Sequence, residues 1–220
     1  MGKDITNATM NGARRYQQQR YRSIDQAWVN RREQRIVATL LTECHVTGGL
    51  FLDVPCGYGR FVSLFARLGM TAIEADVSRD MVQLAVENHP RYSGGRGLCA
   101  NIFDLPFADN TFDGVLCIRL FHHRYNNAER QRILHELARV CRRFVLLSFY
   151  RRAPLHTLAR HWRGTRGRLE LLSFTRFRDL ILASGLQIQR VCSLLRFCHA
   201  QTFVVVTKSL PATRSAGISR

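Results

Sequence analysis

Three groups of residues have types and spacings that could do chemistry. The first is Asp53, Pro55, Cys56, Gly57 and Gly59, where an acid and two glycines follow the apolar Leu50, Phe51 and Leu52. Glycines let a backbone approach a ligand where a Cβ would collide. A strand, a glycine turn and a helix opening make the nucleotide-cradling unit of α/β proteins. The second group centres on Asp76, 23 residues beyond Asp53 and at the end of another apolar run. A carboxylate so placed can grip a ribose diol, because it accepts both hydroxyl protons. The third is Arg119, His122 and His123. Histidine titrates near neutrality and suits proton transfer, and an arginine fork can clamp an anion. Plain alternatives stand beside these. The histidines can cap a helix or pack under a loop, and Arg119 can form a salt bridge or lay its stem on the N-terminal helix.

These groups need elements to position them. Strands are expected near 50–54, 71–76, 97–101, 114–120 and 143–149, and helices near 60–68, 79–88 and 127–141. Ser78 is the expected N-cap of the second helix. Ile133, Leu134, Leu137, Val140 and Cys141 keep the helical period in the third. Alternating strands and helices predict an α/β fold with a parallel sheet covered on both faces. Ligands bind at the carboxyl ends of such strands, where Asp53, Asp76, Asn101 and Ile118 are expected. Farther on, Thr175 is the expected N-cap of a helix over 177–183 that Gly185 stops. Two strands, 186–195 and 201–207, follow. Residues 1–12 read as loose, and 14–41 as one or two helices with Trp28, Ile36, Val37, Leu40 and Leu41 on the apolar face. Residues 209–220 read as a disordered tail.

Four blocks in this order resemble the class I S-adenosylmethionine-dependent methyltransferases, above all the small-molecule group. They are Asp53-Val-Pro-Cys-Gly-Tyr-Gly59, Glu74-Ala-Asp-Val-Ser78, Ala100-Asn-Ile-Phe-Asp-Leu-Pro-Phe107 and Phe112-Asp-Gly-Val-Leu-Cys-Ile-Arg-Leu-Phe-His-His123. The resemblance covers residues 48–208. It implies a Rossmann-like, doubly wound sheet, mostly parallel, with a C-terminal antiparallel hairpin and helices on both faces. It implies S-adenosylmethionine as cofactor and no metal. Asp53, Gly57 and Gly59 are expected at its methionine end, Asp76 at the ribose, and Asn101 and Ile102 around the adenine; Pro55, Cys56, Val77 and Ile118 are expected among the cofactor-binding residues. Residues 1–47 are expected to form a helical extension over the pocket. Two positions depart from the family. Pro55 stands where many members carry glycine and gives up an N–H. Asn101 stands where many carry aspartate, and its amide oxygen can still accept a proton from the adenine amino group, without charge.

Composition bounds the rest. The chain has 220 residues, an apolar fraction of 46% and a net charge of +17. Of its 33 basic residues, all but Lys3 and Lys208 are arginine. Such a surplus reflects a coding bias or an anionic partner. The seven cysteines include no Cys-x-x-Cys pair, which argues against structural zinc or a disulfide framework. A reducing, cytoplasmic setting is expected. The N-terminus lacks the apolar core of a secretory signal, and no apolar run is long enough to span a bilayer. Residues 151–168 hold six arginines and no acid. Pro154, Leu155, Leu158, Ala159 and Trp162 fit a short basic amphipathic helix there. It suits an anionic substrate, an anionic membrane surface or RNA.

The expected function is methyl transfer to a small-molecule or lipid-linked acceptor, anionic in view of the charge. RNA methylation is the alternative within enzymes; no Asn-Pro-Pro-Tyr-type motif follows the fourth strand, where Cys-Ile-Arg-Leu stands instead. A cofactor-binding accessory protein without turnover is the alternative outside them. A nicotinamide oxidoreductase is remote, given the order of blocks and the terminal hairpin. Oligomeric state leaves no signal in the sequence.

Overall fold

The structure is a computed structural model that describes residues 10–20, 23–45, 48–90, 96–152, 170–195 and 200–209. The expected amphipathic helix within 151–168 lies outside the described residues, apart from Arg151 and Arg152.

The elements run α1 (Met10–Arg20), α2 (Ile24–Glu43), β1 (Leu50–Asp53), α3 (Val62–Arg67), β2 (Thr71–Asp76), α4 (Arg79–Asn88), β3 (Gly97–Cys99), β4 (Phe112–Cys117), α5 (Asn127–Val140), β5 (Cys141–Tyr150), α6 (Phe174–Ala183), β6 (Leu186–Ser193) and β7 (Gln201–Lys208). The seven strands form one sheet in the order β3-β2-β1-β4-β5-β7-β6. All neighbours through β5 are parallel, and β7 joins β5 and β6 antiparallel. The chain runs outward from β1 to β2 and β3, then crosses back to β4. The switch point therefore lies between β1 and β4, where ligands bind in open α/β sheets.

Side chains alternate across the strands, and the core divides accordingly. Leu52, Val115, Leu147 and Val204 face one way, against Ile133, Leu134 and Leu137 of α5 and Phe177 and Ile181 of α6. Phe51, Leu116, Phe144, Leu146 and Val205 face the other way, against Val37, Leu40 and Leu41 of α2 and Leu64 and Phe65 of α3. An apolar stripe on each helix thus meets one face of the sheet. Helix α1 packs on α4, with Arg14 paired to Glu87 at 3.2 Å.

The helix starts follow local chemistry. Ser78 Oγ accepts from Met81 N in α4. Asn126 and Glu129 exchange hydrogen bonds in a capping box at α5. Four boundaries differ from the sequence expectation. Helix α1 begins at Met10, inside the segment read as loose. Helix α3 begins at Val62, because residues 57–61 are spent on turns. Ser173, not Thr175, caps α6, its Oγ accepting from Arg176 N at 3.2 Å. Ser209, placed with the tail, donates its N–H to Gly185 O at 2.9 Å. Among the described residues, no helix is long and apolar enough to cross a membrane.

Candidate active site

The turn after β1 is built from backbone outward. Cys56 N donates to Ala75 O at 2.8 Å and Gly59 N to Cys56 O at 3.1 Å, which curls residues 56–59 over the end of β2. The Val54–Pro55 peptide is cis. Gly57 and Gly59 have φ of 54° and 80°, a region side chains disfavour. They differ in what surrounds them. A Cβ on Gly59 would come within 3.0 Å of Ala85 in α4, whereas one on Gly57 would meet nothing within 4 Å. Gly59 packs the turn on α4, and Gly57 leaves open space above the backbone.

Asp76 ties the turn to β2. Its Oδ2 accepts from Gly57 N at 3.0 Å and its Oδ1 from Ser78 N at 2.9 Å. Burial raises its pKa, and these backbone donors oppose that rise. Each oxygen keeps a lone pair for a further donor. Beside it Val77 is 52% exposed. Ile102 is buried, and Asn101 turns its Oδ1 back to accept from Phe103 N at 3.1 Å. The acid, the open apolar Val77 and the Asn101 turn sit at the ends of adjacent strands β2 and β3, as expected from sequence.

Asp53 ends β1, fully buried, and Glu74 on β2 is its register neighbour. Burial first, and then the neighbouring Glu74, push the Asp53 carboxyl far above the usual range, and burial raises Glu74 as well. Burial also holds the Cys56 and Cys117 thiols in their protonated form.

The exit of β4 carries the other candidates. Ile118 is buried in the α2 core rather than in an open wall. Arg119 takes φ of 64° and donates its N–H to Ser148 Oγ at 2.9 Å. Its guanidinium holds Glu33 of α2, with Nη2 at 2.8 Å from Oε2 and Nε at 3.1 Å from Oε1. Arg60, just past the glycine turn, pairs with the same carboxylate at 2.8 Å, and Gln201 of β7 donates to it. Glu33 is fully buried. Burial alone would raise its pKa, but Arg60 and Arg119 outweigh that and bring it to about 2. Arg119 thus forms the salt bridge to the N-terminal helix that was the alternative to an anion clamp.

His122 and His123 lie with ring centroids 4.3 Å apart, and His122 sits 5.2 Å from the Tyr150 ring at the end of β5. Desolvation lowers the pKa of His123, so its imidazole is neutral at neutral pH. The backbone O of His122 accepts from Glu170 N, and Glu170 pairs with the buried Arg130 of α5. Glu33, Glu74 and Arg60 carry no role in the sequence reading. One signal could have found Glu33: with Val29, Ile36, Val37 and Leu40 it shares the apolar stripe of α2, where an acid needs a partner.

Residues 52–148 match the family described as "Methyltransferase domain". Over these residues the chain is similar to methyltransferase domains. The chain is 31% identical over 115 residues to methyltransferase GfsG of Streptomyces halstedii, covering 50% of this chain and 40% of that one. It is 28% identical over 93 residues to the human protein named "Probable tRNA methyltransferase 9B", covering 42% of this chain and 19% of that one. The chain spans about half or less of the curated relatives it matches. Its fold is shared with magnesium protoporphyrin IX methyltransferase of Synechocystis PCC 6803, solved with bound S-adenosylhomocysteine. The TM-score is 0.67 at 22% identity, covering 85% of this chain and 88% of that one.

Proposed function

We propose that this protein transfers the methyl group of S-adenosylmethionine to a small-molecule or lipid-linked, anionic acceptor. The observation that carries the reading is Asp76, pinned by the N–H groups of Gly57 and Ser78 beside the exposed Val77. A rigid, acceptor-only carboxylate next to an open apolar side chain suits a ribose diol and an adenine face. Open space over Gly57 leaves room for the methionine end. When bound, the cofactor supplies an electrophilic methyl on a good leaving group.

The chain's own residues then have modest tasks. The Asp53–Gly59 turn and Asp76 hold and orient. Asn101 and Ile102 frame the adenine. Neutral His123, backed by His122 and Tyr150, takes a proton from an acceptor hydroxyl or acidic carbon. Arg151 and Arg152, exposed just beyond β5, supply positive charge on the acceptor side. RNA methylation is the second reading, favoured by the net charge of +17 and by the relative with a tRNA methyltransferase name.

Calorimetric titration with S-adenosylmethionine and S-adenosylhomocysteine tests the cofactor, and turnover on a panel of anionic acceptors and transfer RNA tests the rest. One-to-one binding of both ligands with methylation of a small anion is the expected result. Labelling of transfer RNA alone favours the second reading. Binding without any turnover favours an accessory role.

A further inference from the structure

The function above uses Asp53 as the start of the glycine turn and gives its pairing with Glu74 no part. The two residues are register neighbours on parallel β1 and β2, so their side chains leave the same face of the sheet. Both are 1% exposed. Among the described residues, no N–H or O–H donates to any of their four carboxyl oxygens. As directly paired positions on adjacent strands, the two carboxyls are close neighbours, and Glu74 raises the Asp53 pKa. Two carboxylates have no proton to share, whereas a carboxyl and a carboxylate with one proton between them make a strong hydrogen bond.

The surroundings favour that one-proton state. Facing the pair are Asp76 on β2, Cys56 in the glycine turn, Cys117 on β4 and Arg60 beyond the turn. Asp76 adds like charge. The thiols are neutral. Arg60 is the facing cation, and it is already shared with Glu33. Burial and mutual repulsion therefore keep a proton on the pair near neutral pH. Asp53 leads directly into the turn that Asp76 holds through Gly57, and the pair raises the pKa of Cys56 in that turn. In the low dielectric of that site, a positive charge brought in above it acts strongly.

We propose that the Asp53–Glu74 pair senses the charge of the cofactor: the sulfonium of S-adenosylmethionine displaces the shared proton to solvent, and the uncharged thioether of S-adenosylhomocysteine lets it return. The inference rests on the cofactor reading above. The balance over a turnover is closed. One proton leaves the pair when the sulfonium binds, one returns when the methyl departs, and the acceptor's own proton is counted separately. The sign follows from linkage. A cation favours the doubly ionised pair, so affinity for S-adenosylmethionine rises with pH relative to S-adenosylhomocysteine. Each pK unit by which the sulfonium shifts the pair changes that ratio up to about tenfold. The pair thereby weakens the hold on product relative to substrate.

The test is isothermal titration calorimetry of the full chain in buffers of differing ionisation enthalpy. Three ligands are used: S-adenosylmethionine, S-adenosylhomocysteine, and an analogue with a protonated amine in place of the sulfonium. Proton uptake by the ligands' own amino groups, measured in free solution, is subtracted. The expected result is extra proton release with both cationic ligands, and a homocysteine-to-methionine Kd ratio that grows with pH. In Glu74→Gln the amide donates to Asp53 and fixes it ionised, so the extra release and the pH trend both vanish. Equal proton counts for all three ligands in the natural protein overturn the proposal and leave the cofactor reading intact. So does a Glu74→Gln protein that keeps the ligand difference. Failure of all three ligands to bind overturns both. The comparison in the natural protein needs no variant, so a poorly folded Glu74→Gln leaves the test standing.

Discussion

At the scale of single residues, the site is defined by which polar atoms are already committed. Asp76 is committed to Gly57 and Ser78 by one lone pair per oxygen and keeps the others. Asp76→Ala removes the proposed ribose acceptor and the tether of the turn together. The variant is expected to lose S-adenosylhomocysteine binding by at least about a hundredfold, on the scale of a charged hydrogen-bonding group left out, with an unchanged far-ultraviolet spectrum. Wild-type-like calorimetric titration would contradict the assignment. His123 makes a separable prediction. A general base works only when neutral, and desolvation lowers its pKa from the ordinary 6.5. The acid limb of the rate should therefore lie below that ordinary value, falling as pH drops through the shifted pKa. His123→Ala is expected to lower kcat by about 10² to 10⁴ and to leave cofactor Kd unchanged. An unaltered pH profile in the variant would remove His123 from the chemistry. The places of Asp53 and Asp76 at strand ends were legible in sequence. The acid-glycine-glycine run and the second acid are local patterns, and local patterns survive into structure. The Asp53–Glu74 pairing was not legible, because register between strands whose paired residues lie 21 positions apart is a property of the sheet.

At the scale of elements, α2 is the piece whose role most exceeds its sequence. Its C-terminal half reads as an amphipathic helix, and Val37, Leu40 and Leu41 are buried as that pattern requires. Its Glu33 joins three distant segments: Arg60 after β1, Arg119 after β4 and Gln201 at the start of β7. No periodicity announces contacts separated by 27, 86 and 168 positions. The α6 cap shows a subtler limit. Ser173 and Thr175 are both competent N-caps, and the choice falls to Ser173 because Phe177, Leu180 and Ile181 must face the core. Glu33→Gln should cost ~3–5 kcal/mol, the usual penalty for leaving buried charges without their counter-ion. Chemical denaturation would measure it, and hydrogen exchange should place the loosening in α2. The pH dependence gives an independent figure. A carboxyl moved from 4.5 to about 2 contributes ~3 kcal/mol of stability. The pKa is depressed, so that stability is present above the unfolded value of 4.5 and is lost as pH falls toward 2. Acid titration of the natural protein should show this step, and Glu33→Gln should lack it. An identical acid profile in both would dissociate Glu33 from the stability of α2.

At the scale of the whole molecule, the net charge of +17 and the buried acids Asp53, Glu74 and Asp76 make opposite demands on salt. The sheet order and the split core follow from alternating strands and helices, so the architecture was readable in the sequence. What the charge does was not, because composition counts arginines without placing them. Their placement is now partly visible. Arg60, Arg119, Arg130 and Arg139 are spent on carboxylates of the protein itself, at Glu33, Glu170, Glu136 and Asp109. Arg124, Arg151 and Arg152 are exposed around the carboxyl ends of β4 and β5. Charges at a solvated rim are screened over about 8 Å at physiological ionic strength, whereas buried groups are screened far less. The cofactor Kd should therefore change little between low and high salt, because Asp53, Glu74 and Asp76 are all buried. Affinity for an anionic acceptor should fall with salt, since the rim arginines would hold it. The slope then separates the two acceptor readings. A compact anion displaces few counter-ions, while RNA neutralised at many phosphates loses affinity steeply, by about 10³ or more over a few-fold rise in salt when six or more contacts form. A shallow slope for methyl transfer with a flat cofactor Kd supports a small anionic acceptor. A steep one moves RNA to the front, and a cofactor Kd that itself follows salt would mean that the rim arginines, not the buried acids, hold the cofactor.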